Sequence, residues 1–452
     1  MLKLPSISIN LRKAKDSLRV APINRLPQEI LILILTLRTS ERDLIRATSV
    51  CKYWRNTLVS TPTLWNNIIF SERTDRDTIS PPVRTYFERS GSIPVKVQIH
   101  ARASRLLSPY TGRISQLTIF IDNRSDLGEI TKHLSKPAPL IETVALYVTR
   151  RELRGLVLPP GFLEMLFSIV RTLTLYDAIL SPGLLQFSKL TKFTLNARLA
   201  SVTPTNLLDT LEQMPLLCLL EATFRSPQLR DVIPETRVVT LPHLEGITIT
   251  VDENGRAPVS SPLLPALCLP NARSVYLRLI DIRGAPLDPI LPLSFRERLP
   301  NLSVIGKASA SLNMDEDCIV FRGLGNSELT IRTHSGVPFP FTRSAFGGLP
   351  FDGVHHLLVS FRSSPVDTLC FVRLLRFMKG LEYLKLIQDT VEALGRWIGE
   401  DDQAGICPAL STLIVISADL RAKGCVELLK QVRECAGVPI ARVEVRHDRR
   451  YI

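Results

Sequence analysis

Two kinds of polar cluster in the sequence could do chemistry: an adjacent pair of histidines and two runs of acidic residues. His355-His356 could bind a metal or exchange protons, and Asp315-Glu316-Asp317 and Glu400-Asp401-Asp402 could bind a cation. Adjacent residues on a strand point to opposite faces, so the two imidazoles would not converge on one ion. The acidic runs lie on predicted turns, where solvation explains them. We predict that neither kind of cluster is a catalytic or metal site.

The cysteines and the known catalytic signatures point the same way. The 8 cysteines include no CxxC pair and no Cys/His spacing suited to zinc. The sequence also contains no nucleophile elbow, phosphate-binding loop or dinucleotide fingerprint. We therefore expect reduced cysteines, no metal, no cofactor, no catalytic activity, and a cytoplasmic or nuclear location. An enzyme stays open as a third alternative, in which His356 or an acidic run joins a partner group that the sequence does not reveal.

Length and charge set the class of protein. A chain of 452 residues with 45% hydrophobic residues suits a small module plus a larger body. Its longest apolar runs fall far short of the roughly 20 residues that a membrane span needs. The net charge is +13, but Lys and Arg are spread along the chain, so we do not expect nucleic-acid binding. Acidic or phosphorylated protein partners fit the same charge.

Residues 26–65 predict three short helices. Pro27 suits the first turn of a helix, because its missing N–H would have no intrahelical partner there. Ile30 to Leu35 continues this helix with apolar residues on all sides, so the helix needs cover on more than one side. A second helix is predicted over Glu41 to Thr48 and a third over Cys51 to Leu58.

Three motifs in this segment resemble the F-box in their order and spacing. They are Leu26-Pro27-x-Glu29-Ile30, Val50-Cys51-Lys52-Tyr53-Trp54-Arg55 and Leu64-Trp65. The resemblance implies binding to a Skp-type adaptor and, through it, to a cullin-RING ubiquitin ligase. An ordinary three-helix core is the alternative. The adaptor-binding residues that the resemblance implies are Leu26, Pro27, Ile30, Leu31, Ile34, Leu64 and Trp65.

The rest of the chain repeats one unit: an apolar residue, two variable positions, an apolar residue, one variable position and another apolar residue. The first unit is Ile114-Leu117-Ile119, the last is Ile440-Val443-Val445, and the steps are 20 to 30 residues. The last two apolar positions of each unit would lie on one face of a short strand. The period is typical of leucine-rich repeats. Helices are predicted between strands at Leu207 to Met214, Thr368 to Met378, Val391 to Gly399 and Val426 to Cys435.

The units depart from the regular leucine-rich-repeat pattern. Positions that regularly hold Asn or Cys hold residues such as Asp252 and Ile280, and the units Leu302-Ile305-Lys307 and Asn326-Leu329-Ile331 fit poorly. Because no repeat buries its apolar face alone, neighbouring units must stack into a solenoid. We therefore predict an irregular leucine-rich-repeat-like array. One or two ordinary α/β domains are the alternative.

The predicted fold class is α/β, with a small three-helix F-box module followed by a leucine-rich-repeat-like solenoid. Residues 1–20 are rich in Lys and Arg and predict a flexible basic tail, with a mitochondrial presequence as the alternative. Residues 21–70 form the F-box-like domain. Residues 71–110 form a linker and N-terminal cap, with a helix over Val83 to Glu88 and a strand over Val95 to Ile99. The solenoid occupies residues 111–452.

Large side chains at the variable strand positions are candidates for substrate contact. The concave face of a solenoid is where extended partners bind, and Tyr and Arg are enriched in interface hot spots. We predict a non-enzymatic substrate-recognition subunit, which binds the adaptor through the F-box and a protein substrate through the repeats. A repeat scaffold without a ligase partner is the alternative. The candidate substrate-binding residues are Tyr147, Tyr176, Tyr276, Arg278, Arg332, His356, Tyr383 and Lys385.

Overall fold

The computed structural model combines a group of N-terminal helices with one long, mainly parallel sheet, so the α/β prediction is confirmed. The predicted basic tail lies outside the described residues. Among the described helices, none is long and apolar enough to cross a membrane. The structure describes residues 26–38, 41–69, 81–134, 138–153, 155–159, 169–180, 187–197, 202–225, 237–252, 263–280, 308–313, 318–322, 328–334, 351–361, 371–388 and 390–447.

The three N-terminal helices form where the sequence predicts them. They are α1 (Gln28–Arg38), α2 (Glu41–Ala47) and α3 (Lys52–Val59). The carbonyl of Pro27 accepts hydrogen bonds from the N–H groups of Ile30 and Leu31, both at 3.1 Å, as expected for proline at the helix start. The Sγ atom of Cys51 caps α3 by accepting from the Trp54 N–H at 3.5 Å.

The main sheet has 16 strands in the order β1-β2-β3-β4-β6-β8-β9-β11-β13-β16-β15-β14-β17-β18-β19-β20, and two further pairs, β5-β7 and β10-β12, stand beside it. The strands are β1 (Asn67–Ile69), β2 (Val95–His100), β3 (Ile114–Ile121), β4 (Thr143–Val148), β5 (Leu156–Leu158), β6 (Thr172–Tyr176), β7 (Ala178–Leu180), β8 (Lys192–Ala197), β9 (Leu219–Arg225), β10 (Val239–Thr240), β11 (Gly246–Asp252), β12 (Leu267–Cys268), β13 (Ser274–Ile280), β14 (Ala308–Asn313), β15 (Cys318–Arg322), β16 (Glu328–His334), β17 (Val354–Phe361), β18 (Tyr383–Gln388), β19 (Thr412–Ser417) and β20 (Arg442–His447).

The apolar repeat positions face one side of this sheet. In β3, Leu117 and Ile119 are 1% and 0% exposed, while Thr118 and Phe120 between and after them are half-buried on the other side. The same alternation recurs in β2, β6, β8, β9 and β13, because side chains of a strand alternate between its faces. We call the side opposite the core the open face. Parallel sheets are usually covered on both faces, so an open face is an unusual feature.

Helices cover the core side of the sheet at intervals. Buried side chains of four of them join the core, for example Ile130, Leu211, Trp397 and Leu429. Residues 371–375, within another predicted helix, are also helical. The helix that contains Ile130 was not predicted from the sequence. The helices after the N-terminal group are α4 (Pro81–Arg89), α5 (Ser125–His133), α6 (Pro204–Glu212), α7 (Thr390–Ile398) and α8 (Arg421–Cys435).

The parallel order breaks between β13 and β17. Strand β15 pairs antiparallel with both β14 and β16, whereas β16 pairs parallel with β13 and β14 pairs parallel with β17. The poorly fitting unit at Asn326 provides β16, and the unit at Leu302 lies outside the described residues. The irregular unit at Asn326 therefore takes part in the antiparallel pairing through β16.

Trp65 joins the N-terminal helices to the sheet. Its side chain is fully buried, and its Nε1 donates a hydrogen bond to the Leu58 carbonyl at 2.8 Å. The ring of Tyr86 on α4 meets it edge-on at 4.9 Å, and the Arg89 guanidinium lies 4.4 Å from its centroid. Strand β1 follows at once and pairs with β2. The helices and the sheet therefore share one core, and the sheet begins before residue 111.

A buried arginine organises the other end of the molecule. Arg433 of α8 donates hydrogen bonds to the carbonyls of Ile406 at 2.8 Å and Cys407 at 3.0 Å, and it lies 5.6 Å from the ring centroid of Trp397. Burial lowers the pKa of the Arg433 guanidinium. Burial also raises the pKa of the Cys407 thiol to about 12, so this cysteine stays protonated and unreactive. The free thiols are those of Cys51, Cys218, Cys268, Cys407, Cys425 and Cys435.

Candidate functional site

Helix α1 presents a row of apolar side chains to solvent. Ile30, Leu33 and Ile34 are 42%, 53% and 42% exposed, and Pro27 before them is exposed as well. Residues three and four positions apart lie on the same side of a helix. We call these four residues the α1 surface. A contiguous apolar group on a helix is typical of a protein-binding site.

The opposite side of α1 lies in the core. Leu31 and Leu35 are 0% and 5% exposed, and Leu64 and Trp65 are 8% and 0% exposed. Three of the predicted adaptor-binding residues, Leu31, Leu64 and Trp65, are therefore core residues that can support a binding surface but do not form it. Leu26 is half-buried, whereas Pro27, Ile30 and Ile34 are accessible.

Sequence reasoning missed Leu33. The run from Ile30 to Leu35 is apolar on all sides, so the sequence alone does not show which side faces the core. Helix α1 packs against α3, and this packing determines the buried side. Val50 and Tyr53, before and within α3, are also exposed, at 61% and 37%. The Tyr53 hydroxyl donates to the Leu26 carbonyl at 3.2 Å and so fixes the start of the module.

A second candidate surface lies on the open face of the sheet. Four aromatic side chains occupy equivalent register positions on the neighbouring strands β2, β3, β4 and β6. Their ring centroids are 5.2 Å apart for His100 and Phe120, 5.3 Å for Phe120 and Tyr147, and 4.3 Å for Tyr147 and Tyr176. We call these four residues the aromatic ladder. All four are half-buried, so part of each ring is accessible.

An acidic side chain holds the first rung of the ladder. The Nδ1 atom of His100 lies 2.9 Å from Asp122 Oδ2, and the Thr149 hydroxyl donates a short hydrogen bond to Asp122 Oδ1. Burial would raise the pKa of Asp122, but the hydrogen bonds from Thr149 and His100 outweigh it, so this pKa lies below its ordinary value. The carboxylate thus stays ionised and fixes His100 beside Phe120.

The two tyrosines of the ladder form its closest pair of rings. Burial raises the pKa of Tyr147, and the neighbouring Tyr176 adds to this effect. The rings are nearly parallel, at 12°. Tyr147 and Tyr176 were predicted from the sequence as contact residues, and the structure brings them together. His100 and Phe120 were missed, although each directly follows a buried apolar residue of its strand, Ile99 or Ile119, as both tyrosines follow a leucine.

The other predicted substrate residues are spread along the open face. Arg278 and Arg332 are register neighbours on β13 and β16, and Tyr276 lies two residues before Arg278. His356 is exposed, and its ring centroid is 5.3 Å from that of Tyr383 on β18, which also carries Lys385. The structure therefore places these residues in two groups, both apart from the aromatic ladder.

His355 and the acidic run at residues 400–402 form contacts within the fold. His355 Nδ1 lies 3.2 Å from Glu382, and Glu400 forms an ion pair with Arg376. Asp402 accepts a hydrogen bond from the Gly405 N–H at 2.9 Å. The run from Asp315 to Asp317 lies outside the described residues. Within the described ranges, no group of three or more His, Cys, Asp or Glu side chains could hold a metal ion.

Comparison with known proteins identifies the N-terminal module. The family of F-box-like domains matches residues 23–71, the region that contains α1, α2, α3 and β1. This part of the chain is an F-box-like domain. A search of curated proteins finds no significant match to the chain.

Proposed function

We propose that the protein is a substrate-recognition subunit of a Skp/cullin/F-box type ubiquitin ligase. The F-box-like domain would bind the Skp-type adaptor, and the long sheet would bind the protein to be ubiquitinated. The observation that carries the proposal is the α1 surface, because it is an exposed apolar row within a matched F-box-like domain. Such a subunit acts inside the cell, in the cytoplasm or nucleus.

The α1 surface has the properties of a docking site for another protein. Burial of its three large aliphatic side chains would remove apolar area from water and contribute roughly 3 kcal/mol, if each gains about half of a full burial. The residues behind it are fixed in the core, so little reorganisation opposes binding. Of the predicted adaptor-binding set, Pro27, Ile30 and Ile34 are the proposed contacts, with Leu33 added and Leu26 at the margin.

The long sheet would be the part of the protein that binds the substrate. Its strands repeat with the period of leucine-rich repeats, and one face is open, which supports a solenoid-like body with a binding face. Backbone hydrogen bonds also link successive units just before each strand, for example from Glu245 N–H to the Cys218 carbonyl at 2.9 Å. The candidate substrate contacts are the aromatic ladder and the predicted open-face residues.

The proposed mechanism is proximity. A substrate held on the sheet would stay near a ubiquitin-charged enzyme held through the adaptor, which converts a bimolecular encounter into an effectively intramolecular one. The shared core at Trp65 supports this mechanism, because it keeps the distance between the two surfaces fixed. The protein itself would supply no acid, base or nucleophile, as is typical of F-box proteins.

Co-purification with the adaptor and cullin tests the proposal. We expect wild type to capture both, and the double variant Ile30→Asp/Ile34→Asp to capture neither, because two charges on the α1 surface would have to be desolvated at the interface. Leu216→Asp/Leu428→Asp is the matched control, since these leucines are 42% and 48% exposed elsewhere in the molecule. Circular dichroism would check that all variants are folded.

Two outcomes would overturn the proposal. Capture of adaptor and cullin by neither wild type nor control would leave the alternative, a repeat scaffold without a ligase partner. Equal capture by wild type and the Ile30→Asp/Ile34→Asp variant would show that the adaptor does not use the α1 surface.

A further inference from the structure

We propose that the aromatic ladder and the arginines beside it bind an acidic peptide segment. The inference rests on the proposed function, since it names the chemical class of substrate that the open face would take. The ladder is on the accessible side of the sheet and spans four neighbouring strands. It is therefore large enough to contact several residues of an extended peptide.

The rings of the ladder are fixed before any partner arrives. Each ring contacts its neighbour, with Tyr147 and Tyr176 stacked and the other two pairs tilted, and Asp122 holds His100. A preorganised surface loses little conformational entropy on binding, and half-exposed tyrosines are frequent interface hot spots. The ladder thus provides contact area at low entropic cost.

The charges around the ladder favour a negatively charged partner. The ladder occupies the last open-face positions of its strands, and the segments that follow β2, β3 and β4 carry the exposed arginines Arg102, Arg105, Arg124 and Arg150. Two acids nearby, Asp122 and Asp126, are held internally, whereas Glu152 is exposed. The side chains of Asp122 and Asp126 are only 14% and 4% exposed.

The carboxylate of Asp126 is bound by groups within the fold. Its Oδ2 atom accepts the N–H groups of Asp122 and Asn123 at 3.0 and 2.8 Å at the start of α5, and its Oδ1 lies 3.6 Å from Arg102. Arg124 and Arg150 make no ion pair with any residue in the described ranges. The rim beside the ladder therefore offers cations to a ligand, while the carboxylates of Asp122 and Asp126 are engaged within the fold.

Ring geometry favours a peptide over a single-stranded nucleic acid. Nucleobases bind by stacking on free aromatic faces. In the ladder neighbouring ring centroids are only 5.2, 5.3 and 4.3 Å apart, so no nucleobase can insert between two neighbouring rings. Aromatic edges carry partial positive charge and attract carboxylates. Acidic side chains can thus interact with both the edges and the arginines.

Fluorescence anisotropy with a labelled Glu/Tyr copolymer tests the inference. We expect the wild-type protein to bind this probe, to bind a Lys/Tyr copolymer at least about tenfold more weakly, and to lose affinity as salt is added. Phe120→Ala/Tyr147→Ala should weaken binding of the Glu/Tyr probe by about tenfold or more, as for hot-spot residues. Arg124→Glu/Arg150→Glu should do the same without touching the core.

A matched control distinguishes binding of the probe at this site from nonspecific electrostatic attraction to a protein of net charge +13. Arg273→Glu/Arg373→Glu makes the same change in net charge at two exposed arginines far from the ladder. We expect it to weaken binding less than about threefold, through long-range screening effects alone. An equal loss in both charge-reversal variants would overturn the site. Tighter binding of a single-stranded oligonucleotide than of the Glu/Tyr probe, lost in the ladder variant, would replace the peptide with nucleic acid.

The same variants distinguish this inference from the proposed function. The Phe120→Ala/Tyr147→Ala and Arg124→Glu/Arg150→Glu proteins should still co-purify with the adaptor. Probe binding without adaptor capture would contradict the ligase role and leave the peptide site intact. Adaptor capture without probe binding would contradict the peptide site and leave the ligase role intact.

Discussion

The two candidate surfaces differ in the chemistry that they offer. The α1 surface is aliphatic, with Ile30, Leu33 and Ile34 on one helix. The aromatic ladder is built across four strands and is bordered by exposed arginines. An aliphatic patch recognises shape and apolar area, whereas rings and charges discriminate among partners by hydrogen bonds and electrostatics.

This difference suits a division of labour. A subunit that joins one constant adaptor needs an apolar contact, and a subunit that selects a substrate needs a polar and oriented one. The core that connects the surfaces is continuous from Leu31 on α1 through Trp65 to the strands of the ladder. The two surfaces therefore belong to one structural unit.

Trp65→Ala should produce the largest effect, because it breaks the connection between the two surfaces. Loss of a fully buried tryptophan should cost about 3–5 kcal/mol of unfolding free energy. Urea unfolding measured by circular dichroism checks this, with half-buried Trp54→Ala as the milder control. We expect adaptor and probe binding to fall together. If Trp65→Ala abolished one and spared the other, the surfaces would not share a structural unit.

Arg433→Met should destabilise a region that contains neither the α1 surface nor the aromatic ladder, and so it tests whether the two surfaces are independent of that region. It leaves buried carbonyls of Ile406 and Cys407 without their donor, at a cost of about 3 kcal/mol. Hydrogen exchange should become faster in β19, α8 and β20 and stay unchanged in α1 and β2 to β6, since repeats contact mainly their neighbours. Exposed Arg421→Met is the control. Faster exchange throughout the chain would contradict this local effect.

Asp122→Asn should have the smallest effect and acts on the ladder alone. The pKa of Asp122 is depressed in the folded state, so its stabilising contribution is present above the unfolded-state pKa and is lost as pH falls through the folded-state pKa. At neutral pH the variant should be about 1 kcal/mol less stable. Urea midpoints of the two proteins should converge below about pH 4. A constant difference at all pH values would contradict the assigned role of this carboxylate.

The sequence predicts much of this fold because burial imposes a period. Leu117 and Ile119 had to share a face, and the same spacing located the strands that follow. The three N-terminal helices were predicted for a similar reason, from Pro27 and the apolar run after it. Local patterns of this kind are sufficient where each strand pairs with the next one along the chain.

Other features depend on contacts that local patterns do not record. Strand β14 has the sequence Ala-Ser-Ala-Ser-Leu-Asn, with little apolar character. Its antiparallel pairing with β15 depends on contacts within the sheet rather than on an apolar pattern in its own sequence. The burial of Leu31 and the exposure of Leu33 depend on where α3 packs. Phe120 lies between Ile119 and Ile121, so it resembles a core residue in the sequence although it faces the open side.

A bridging assay tests the central claim most directly. The Skp-type adaptor is immobilised, and retention of the labelled Glu/Tyr copolymer is measured with and without the protein. We predict retention with wild type, and loss of retention with either Ile30→Asp/Ile34→Asp or Arg124→Glu/Arg150→Glu, for different reasons in the two cases. Retention that is unchanged in both variants, or no retention with wild type, would contradict the claim that one body links an adaptor surface to an acidic-peptide surface.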